Sequence, residues 1–251
     1  GLGFVVLSNM NGTGLPELLI RTAADRILGL EAKDWIGEAA KRRDQGRAED
    51  KKADEKKAAR KVAGTKPSHP LADYAGDYGH PGYGEAKVAS PASRLVLTYN
   101  GISAPFEHWH YDTFNGLKDQ DPTFEDTKIS FRTDLNGRIA ELVVALEAAA
   151  DPIVFKKKPE ARYFDPAFLK AFTGVYELVN QTITIGLKGS VLTASLPGQP
   201  EYELVPDLGG EFTLKQVKVI TVRFLTDAKG AVTGLEFIQP GGVYEAKKKN
   251  G

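Results

Sequence analysis

Apolar and polar positions along this chain follow three different rhythms. Residues 1–7 (GLGFVVL) form a continuous apolar run, the pattern of a strand buried on both faces of a sheet. A turn cluster follows (SNMNGTG, 8–14), and then Leu15, Leu18, Leu19, Ala23, Ile27 and Leu30 recur at helical spacing. That spacing predicts an amphipathic helix, with Pro16 tolerated in its first turn. Residues 31–61 carry 11 basic and 8 acidic side chains and little to pack besides Trp35 and Ile36. Pairs such as Glu38 with Arg42 and Asp54 with Lys57 sit at supportive helical spacing. A long solvated helix acting as a spacer is the expectation for 31–66. Beyond Pro67 the rhythm changes to period two, with β-branched and aromatic residues between glycine-bearing turns, the signature of short strands.

The period-two region is a repeat. Phe131, Thr133, Asp134, Gly137, Ile139 and Leu142 (FRTDLNGRIAEL) recur 93 residues later as Phe224, Thr226, Asp227, Gly230, Val232 and Leu235 (FLTDAKGAVTGL). Tyr74, Gly76 and Tyr78 (YAGDY) are echoed 98 residues later by Phe172, Gly174 and Tyr176 (FTGVY). Two copies of one unit, 67–160 and 161–251, are therefore expected, with a few residues of loop difference and a boundary in 159–166. The second copy reads as strands near 172–178, 181–187, 190–196, 200–206, 210–215, 218–226, 231–238 and 242–247. Connections this short exclude parallel crossovers, so the strands should form an antiparallel meander, and closure into a small barrel removes exposed edges. The fold class expected is mainly β: two tandem small antiparallel barrels, preceded by a strand and helix and by a long charged helix.

Composition narrows the functional classes. The chain has 33 basic and 33 acidic residues, for a formal net charge of zero, so nothing in the balance favours nucleic acid or an anionic membrane as partner. The apolar run at 1–7 is too short to span a bilayer and lacks the basic stretch of a signal peptide. A chain starting without Met inside a strand pattern is expected to be a piece of something longer. With no cysteine there is no thiolate metal site, disulfide or cysteine nucleophile. Gly-x-Ser-x-Gly, Ser-x-x-Lys and Tyr-x-Asn are all absent, as are glycine-rich phosphate loops, so the chain alone reads as non-catalytic and without cofactor.

One segment carries candidate chemistry. In 106–114 (FEHWHYDTF), a continuous strand would place His108, His110 and Asp112 on one face and Trp109, Tyr111 and Thr113 on the other. Two imidazoles and a carboxylate can ligate zinc or form a general base with its orienting partner, whereas the plain alternative is packing and local hydrogen bonding. Lacking a spaced third ligand, the packing reading is preferred, no metal is assigned, and His108, His110, Tyr111 and Asp112 are kept as candidate ligand-binding residues. His80, in Gly79-His80-Pro81-Gly82, is a further imidazole that the fold could bring near them. The repeated Thr-Asp-x-x-Gly is read as a hairpin turn, with Asp bonding local N–H groups and Gly at positive φ, rather than as a carboxylate site.

Residues 1–30 resemble the last strand and closing helix of the penicillin-recognising serine hydrolases, the group of class C beta-lactamases, DD-peptidases, esterases and D-aminopeptidases. Residues 71–158, with LADYAGDY and EHWHYDTF, resemble the lipocalin-like domain of unassigned function appended to the C-terminal side of those hydrolases. The resemblance implies a parent serine hydrolase whose nucleophile, lysine and tyrosine all lie upstream of residue 1, so no catalytic residue is carried onto this chain. It implies a non-catalytic accessory region, 1–30 closing the hydrolase domain and 31–66 leading to the barrels. The partner would be the catalytic domain, in the same or a separate chain, or a second copy in a homo-oligomer, in a periplasmic or extracellular setting. An eight-stranded barrel is also wide enough to hold one small molecule, so the alternative is a binding protein for a small apolar ligand.

Overall fold

The computed structural model describes residues 1–9, 13–119, 121–146, 150–178 and 181–249, with the backbone alone of 47–58. The chain divides into two compact units, Gly1–Val62 and Ala63–Gly251.

The first unit holds helices α1 (Leu15–Ile27) and α2 (Trp35–Ala58). The amphipathic spacing produces α1 as expected, with Pro16 in its first turn, and the helix stops before Gly29, which takes φ +66°. A left-handed residue just beyond a helix end is the position glycine fills without strain. Trp35 ties the two helices together: its indole N–H donates to the Asp25 carboxylate at 2.6 Å, and Arg21 and Lys33 lie over its ring at 4.9 and 4.4 Å. No residue of α1 is buried. Glu38 meets Arg42 at 4.0 Å on α2, while the Asp54–Lys57 pair falls outside the described side chains. Residues 1–7, expected as a strand, form none. A strand exists only as one side of a ladder, and the described residues of this unit offer two helices and no neighbouring strand.

In the second unit a short helix α3 (Leu71–Tyr74) leads into β1 (Gly76–His80), β2 (Gly84–Ala89), β3 (Leu95–Tyr99), β4 (Ile102–His110), β5 (Thr113–Gly116), β6 (Lys128–Thr133), β7 (Ile139–Val144) and β8 (Ile153–Lys157). Helix α4 (Pro166–Leu169) then leads into β9 (Gly174–Leu178), β10 (Gln181–Lys188), β11 (Val191–Ser195), β12 (Tyr202–Pro206), β13 (Glu211–Leu214), β14 (Thr221–Thr226), β15 (Val232–Gln239) and β16 (Gly242–Lys248). Each set of eight is an antiparallel meander closed into a barrel, so the architecture matches the expectation. Closure is made by β1 with β8 and by β9 with β16, extended by Lys158 N–H to Asp77 O (2.7 Å) and Lys249 N–H to Val175 O (2.8 Å). Period-two alternation fills both interiors: Ile129 and Phe131 point inward from β6, Ile183 and Ile185 from β10.

The repeated residues occupy equivalent places. Tyr74, Phe114 and Phe131 pack edge to face at 4.9–5.7 Å in the first barrel; in the second Phe212 meets Phe172 and Phe224 edge to face at 6.1 and 5.6 Å, and Phe172 lies tilted against Phe224 at 4.7 Å. The Tyr78 hydroxyl donates to Tyr74 O and that of Tyr176 to Phe172 O, at 2.7 and 2.6 Å. Lys157 reaches Asp73 O and Lys248 reaches Ala171 O, each ammonium 5.8 Å from the Tyr78 or Tyr176 ring centre. On the way each lysine stem crosses a glycine, Gly76 or Gly174, whose positive φ (+146° and +142°) is a backbone conformation that L side chains rarely adopt. That is the physical reason for glycine in the YAGDY and FTGVY motifs.

The Thr-Asp-x-x-Gly segments are hairpins, as expected. Asp134 Oδ1 accepts from the N–H groups of Asn136 and Arg138 at 2.8 and 2.9 Å, and Asp227 Oδ1 from those of Lys229 and Ala231 at the same distances. Gly137 and Gly230 take φ +78° and +80°. Among the described residues no helix is long and apolar enough to cross a membrane.

Candidate functional site

The meander gives each barrel two ends. One, the lead-in end, carries the short helix before the first strand and the Thr-Asp-x-x-Gly hairpin. The other, the far end, carries the connection between the first two strands.

The segment 106–114 turns at the lead-in end of the first barrel and is not one strand. β4 stops at His110, Tyr111 (φ +45°) and Asp112 make a two-residue turn, and the β4–β5 register slips between His108 and His110. The assumed sharing of a face by His108, His110 and Asp112, and by Trp109, Tyr111 and Thr113, is therefore corrected: a bulge and a turn break the period-two alternation that it needed. His108 Nε2 bonds Tyr111 O at 2.8 Å, with its ring edge-on to Phe114 at 5.8 Å. His110 lies tilted against Trp109 and Tyr111 at 6.4 and 5.9 Å, and Lys128 sits 4.1 Å over the Trp109 ring. Tyr111 is exposed. His80 lies at the opposite end, where its Nδ1 accepts from the N–H groups of Gly82 and Tyr83, both at 3.1 Å. Among the described residues no three His, Asp or Glu side chains converge as metal ligands.

Asp112 instead gathers a network that sequence reasoning missed. It accepts from the Tyr74 hydroxyl, from Ser68 N–H at 2.8 Å and from Ser68 Oγ at 2.8 and 2.9 Å, while Ser68 Oγ lies 2.7 Å from His69 Nδ1. The serine hydroxyl has one proton; donating it to Asp112, it accepts from His69 Nδ1–H. This inverts the order of a nucleophilic triad, in which the carboxylate orients the imidazole and the imidazole takes the serine proton. Burial pushes the Asp112 carboxyl up, yet the bonds from Tyr74 and Ser68 outweigh it and hold the group below its ordinary value. Tyr74 is pushed up to about 12 by burial, then by its bond to the charged carboxylate. At neutral pH the phenol keeps its proton and the carboxylate its charge, so the cluster fastens the lead-in segment to the 111–112 turn. Its signal was in the repeat: tyrosine where the other copy has Phe172 puts a hydroxyl at a core position, which demands a partner.

The lead-in end of the first barrel also reaches the second. Arg138, following the Gly137 turn, donates from Nε to Asp134 (2.8 Å) and from one terminal nitrogen to Leu208 O (2.5 Å) and Glu211 Oε2 (2.8 Å). Glu211, nearly buried, also accepts two bonds from Arg223. The equivalent of Arg138 in the second copy is Ala231, so this junction is not part of the repeat. A groove of about 740 Å³ runs beside it, with both signs of charge on its walls, including Asp73, Asp77, Arg138 and Lys157.

The far ends differ. In the first barrel Phe155 packs against His80 and Tyr99 at 5.8 and 5.7 Å, the Tyr99 hydroxyl donates to Tyr83 O, and a 3-10 turn, Pro122–Phe124, lays buried Phe124 beside Phe106. Above these rings lies a depression of about 300 Å³, between Tyr83, Tyr99, Ile102, Phe124 and Leu146. In the second barrel Ala246 stands where Phe155 does, opposite Leu235 as Phe155 is opposite Leu142. The connection from β13 to β14 (215–220) is five residues shorter than that from β5 to β6 (117–127), and lacks the 3-10 turn. A cup of about 350 Å³ lies at this end, to which every strand or its flank contributes, with Ala246 outside its lining.

Comparisons with known proteins match one part of the chain. Residues 60–157, the lead-in and the first barrel, match a family described as a domain of unknown function (DUF3471). The crystal structure of the C-terminal domain of penicillin binding protein Rv0907 is similar at 24% identity, over 39% of this chain and 94% of that one, with a TM-score of 0.32. No curated protein matches the chain.

Proposed function

We propose that this chain is a non-catalytic accessory region of a beta-lactamase-like serine hydrolase or peptidase, its barrels restricting access to the catalytic domain or mediating assembly. The observation that carries the reading is the apolar surface of the first unit. Leu15, Leu19 and Ile27 of α1 are exposed, as are Leu2, Val5 and Leu7 before it. An apolar helix stripe beside a β-prone run is a surface that packs against a sheet of its own, and the resemblance of 1–30 to a hydrolase's closing strand and helix supplies that sheet. The lead-in cluster supports the same reading, because Ser68, His69 and Asp112 are ordered as a fastening and not as a nucleophile with its base.

The test starts from the coding sequence upstream of Gly1, read for Ser-x-x-Lys and Tyr-x-Asn. The extended protein, with and without 63–251, is then assayed on beta-lactam, ester and D-peptide substrates of increasing size. Expected are no turnover by the present chain, turnover by the extended one, and a changed size limit or oligomeric state once the barrels are removed. Turnover by the present chain that survives purification and is abolished by a serine-directed acylating reagent overturns the reading. So does a large loss of barrel melting temperature on deleting 1–30, which would make that segment part of a barrel core.

A further inference from the structure

We propose that the far end of the second barrel is a binding site for a neutral small molecule with an apolar body and one hydrogen-bonding head group. The site goes beyond the accessory role and does not depend on it.

The repeat supplies the first argument. Two barrels with the same strand order and the same aromatic trio at the lead-in end diverge at the far end by two changes that both remove bulk: Phe155 becomes Ala246, and the loop bearing Phe124 is cut by five residues. By strand register Leu178 and Leu196 stand where the first barrel has His80 and Tyr99, so two more rings are lost there, while Ile183, Ile185 and Tyr202 in the places of Ala86, Val88 and Ala104 return part of the bulk. Close packing is the default of a protein interior, and collapse around a lost ring is the usual response. A cup of about 350 Å³ persists here and falls within the range of small-molecule pockets.

The lining supplies the second. Leu178, Leu196, Leu214 and Phe237 make an apolar wall, and Gln181 and Tyr244 are among the polar side chains around it; none of the lining residues carries a charge at neutral pH. The Tyr244 hydroxyl has only a 3.5 Å approach to Gly241 O, too long to hold it firmly. An ionised ligand would lose hydration here with no counter-charge to meet it, whereas a neutral apolar body gains by leaving water. A carbonyl or hydroxyl on that body would find amide or phenol partners at the rim.

The experiment titrates the whole chain with the neutral fluorophore N-phenyl-1-naphthylamine and, in parallel, with the anionic 1-anilinonaphthalene-8-sulfonate. Expected is saturable binding of the neutral probe at one site per chain, at least tenfold tighter than the anionic one. Ala246→Phe, which transplants the first barrel's ring, should weaken that binding at least tenfold. Because the added ring can overpack the barrel, Leu196→Glu is the second variant; it puts a charge into the half-buried wall, leaves the innermost layer intact, and should have the same effect. Absence of saturable binding, equal affinity for both probes, or binding unchanged in a folded variant overturns the proposal. So does a dimer that masks the site and that the probe fails to dissociate, for then a second copy is the occupant.

Discussion

The two barrels share a middle and differ at their ends. Lys157 over Gly76 matches Lys248 over Gly174, and one aromatic trio matches the other. At the lead-in end, however, the first copy has Tyr74 on Asp112 where the second has Phe172 and Gly210. At the far end a depression among aromatic rings in the first barrel faces a mainly aliphatic and amide-lined cup of similar volume in the second. Closing eight short strands demands the shared layer, because each barrel must bury a continuous core to exist at all. The ends are free of that demand, and the copies have diverged there. A repeat thus sorts its own residues, the common ones belonging to the fold and the unmatched ones, Asp112, Arg138 and Ala246, marking where the copies do different things.

The strongest way to test this division is to make the first barrel resemble the second. Phe155→Ala removes a fully buried ring held between His80 and Tyr99, and should cost about 3–5 kcal/mol of first-barrel stability. Urea unfolding followed by Trp109 fluorescence, in a Trp35→Phe background, reads that barrel alone. A loss under about 1 kcal/mol would mean that the far end collapses without a plug, and that the cup of the second barrel is no consequence of Ala246.

Next in size is the junction. Arg138→Met keeps much of the stem but removes the guanidinium bonds to Leu208 O and Glu211, leaving a nearly buried carboxylate with Arg223 as its remaining partner. The expected cost is about 2–3 kcal/mol, expressed as coupling between barrels. Hydrogen exchange should then show the opening free energies of the two barrels further apart than in the wild type. Ala231→Arg, the reciprocal change, should do nothing comparable, since the carboxylate and carbonyl that Arg138 reaches, on Glu211 and Leu208, are already taken.

Smaller, and dependent on pH, is the lead-in cluster. Tyr74→Phe copies Phe172 into the first barrel and should cost about 1–2 kcal/mol at neutral pH, by removing one donor from Asp112. The folded-state pKa of Asp112 lies below its unfolded value, so the stability it contributes is present above that unfolded value, roughly pH 4, and is lost as pH falls through the folded one. Acid should therefore weaken the first barrel, and Tyr74→Phe should flatten that acid limb. The limb should not vanish, because Asp134 is also held low: burial raises it, but the Arg138 N–H, the guanidinium and the Asn136 N–H together outweigh burial. An unchanged acid limb in the variant would mean that Asp112 owes its low value to Ser68 alone.

Where sequence reading succeeded and failed follows the same division. Alternation and glycine-bearing turns placed all eight strands of the second copy, because those signals are local and one face of every strand is buried. The 108–112 segment was misread because a bulge and a two-residue turn interrupt alternation without a glycine to mark them; Tyr111 takes the positive φ instead. Residues 1–7 carry a strand pattern without a ladder partner, which no local pattern reveals. The cup was legible only in part: the five-residue shift between the offsets of 98 and 93 was visible, but the ring lost at Ala246 needed the strand register. Ser68 and His69 gave no signal at all, since their partner Asp112 lies more than forty residues away.

The smallest expected effect lies in the hairpin that the copies share at the lead-in end. Gly137 and Gly230 have nearly the same positive φ, and a Cβ on either would meet no atom within 4 Å, so substitution is opposed by backbone strain alone. Gly137→Ala and Gly230→Ala should each cost about 1 kcal/mol, through the left-handed penalty on an L residue. The two values should agree within about 0.5 kcal/mol and add in the double variant, because the hairpins have no partner in common. Arg138 is the reason to measure both. It follows Gly137 directly, so a strained turn that swings the guanidinium away from Leu208 O and Glu211 would add a junction penalty that Gly230→Ala cannot incur. Equal costs in urea titrations would place the aim of Arg138 in its own side chain and its bonds to Asp134. An excess at Gly137 above about 0.5 kcal/mol, beyond ordinary additivity error, would place it in the turn, and the hairpin conserved between the copies would then be doing in the first barrel what it does not do in the second.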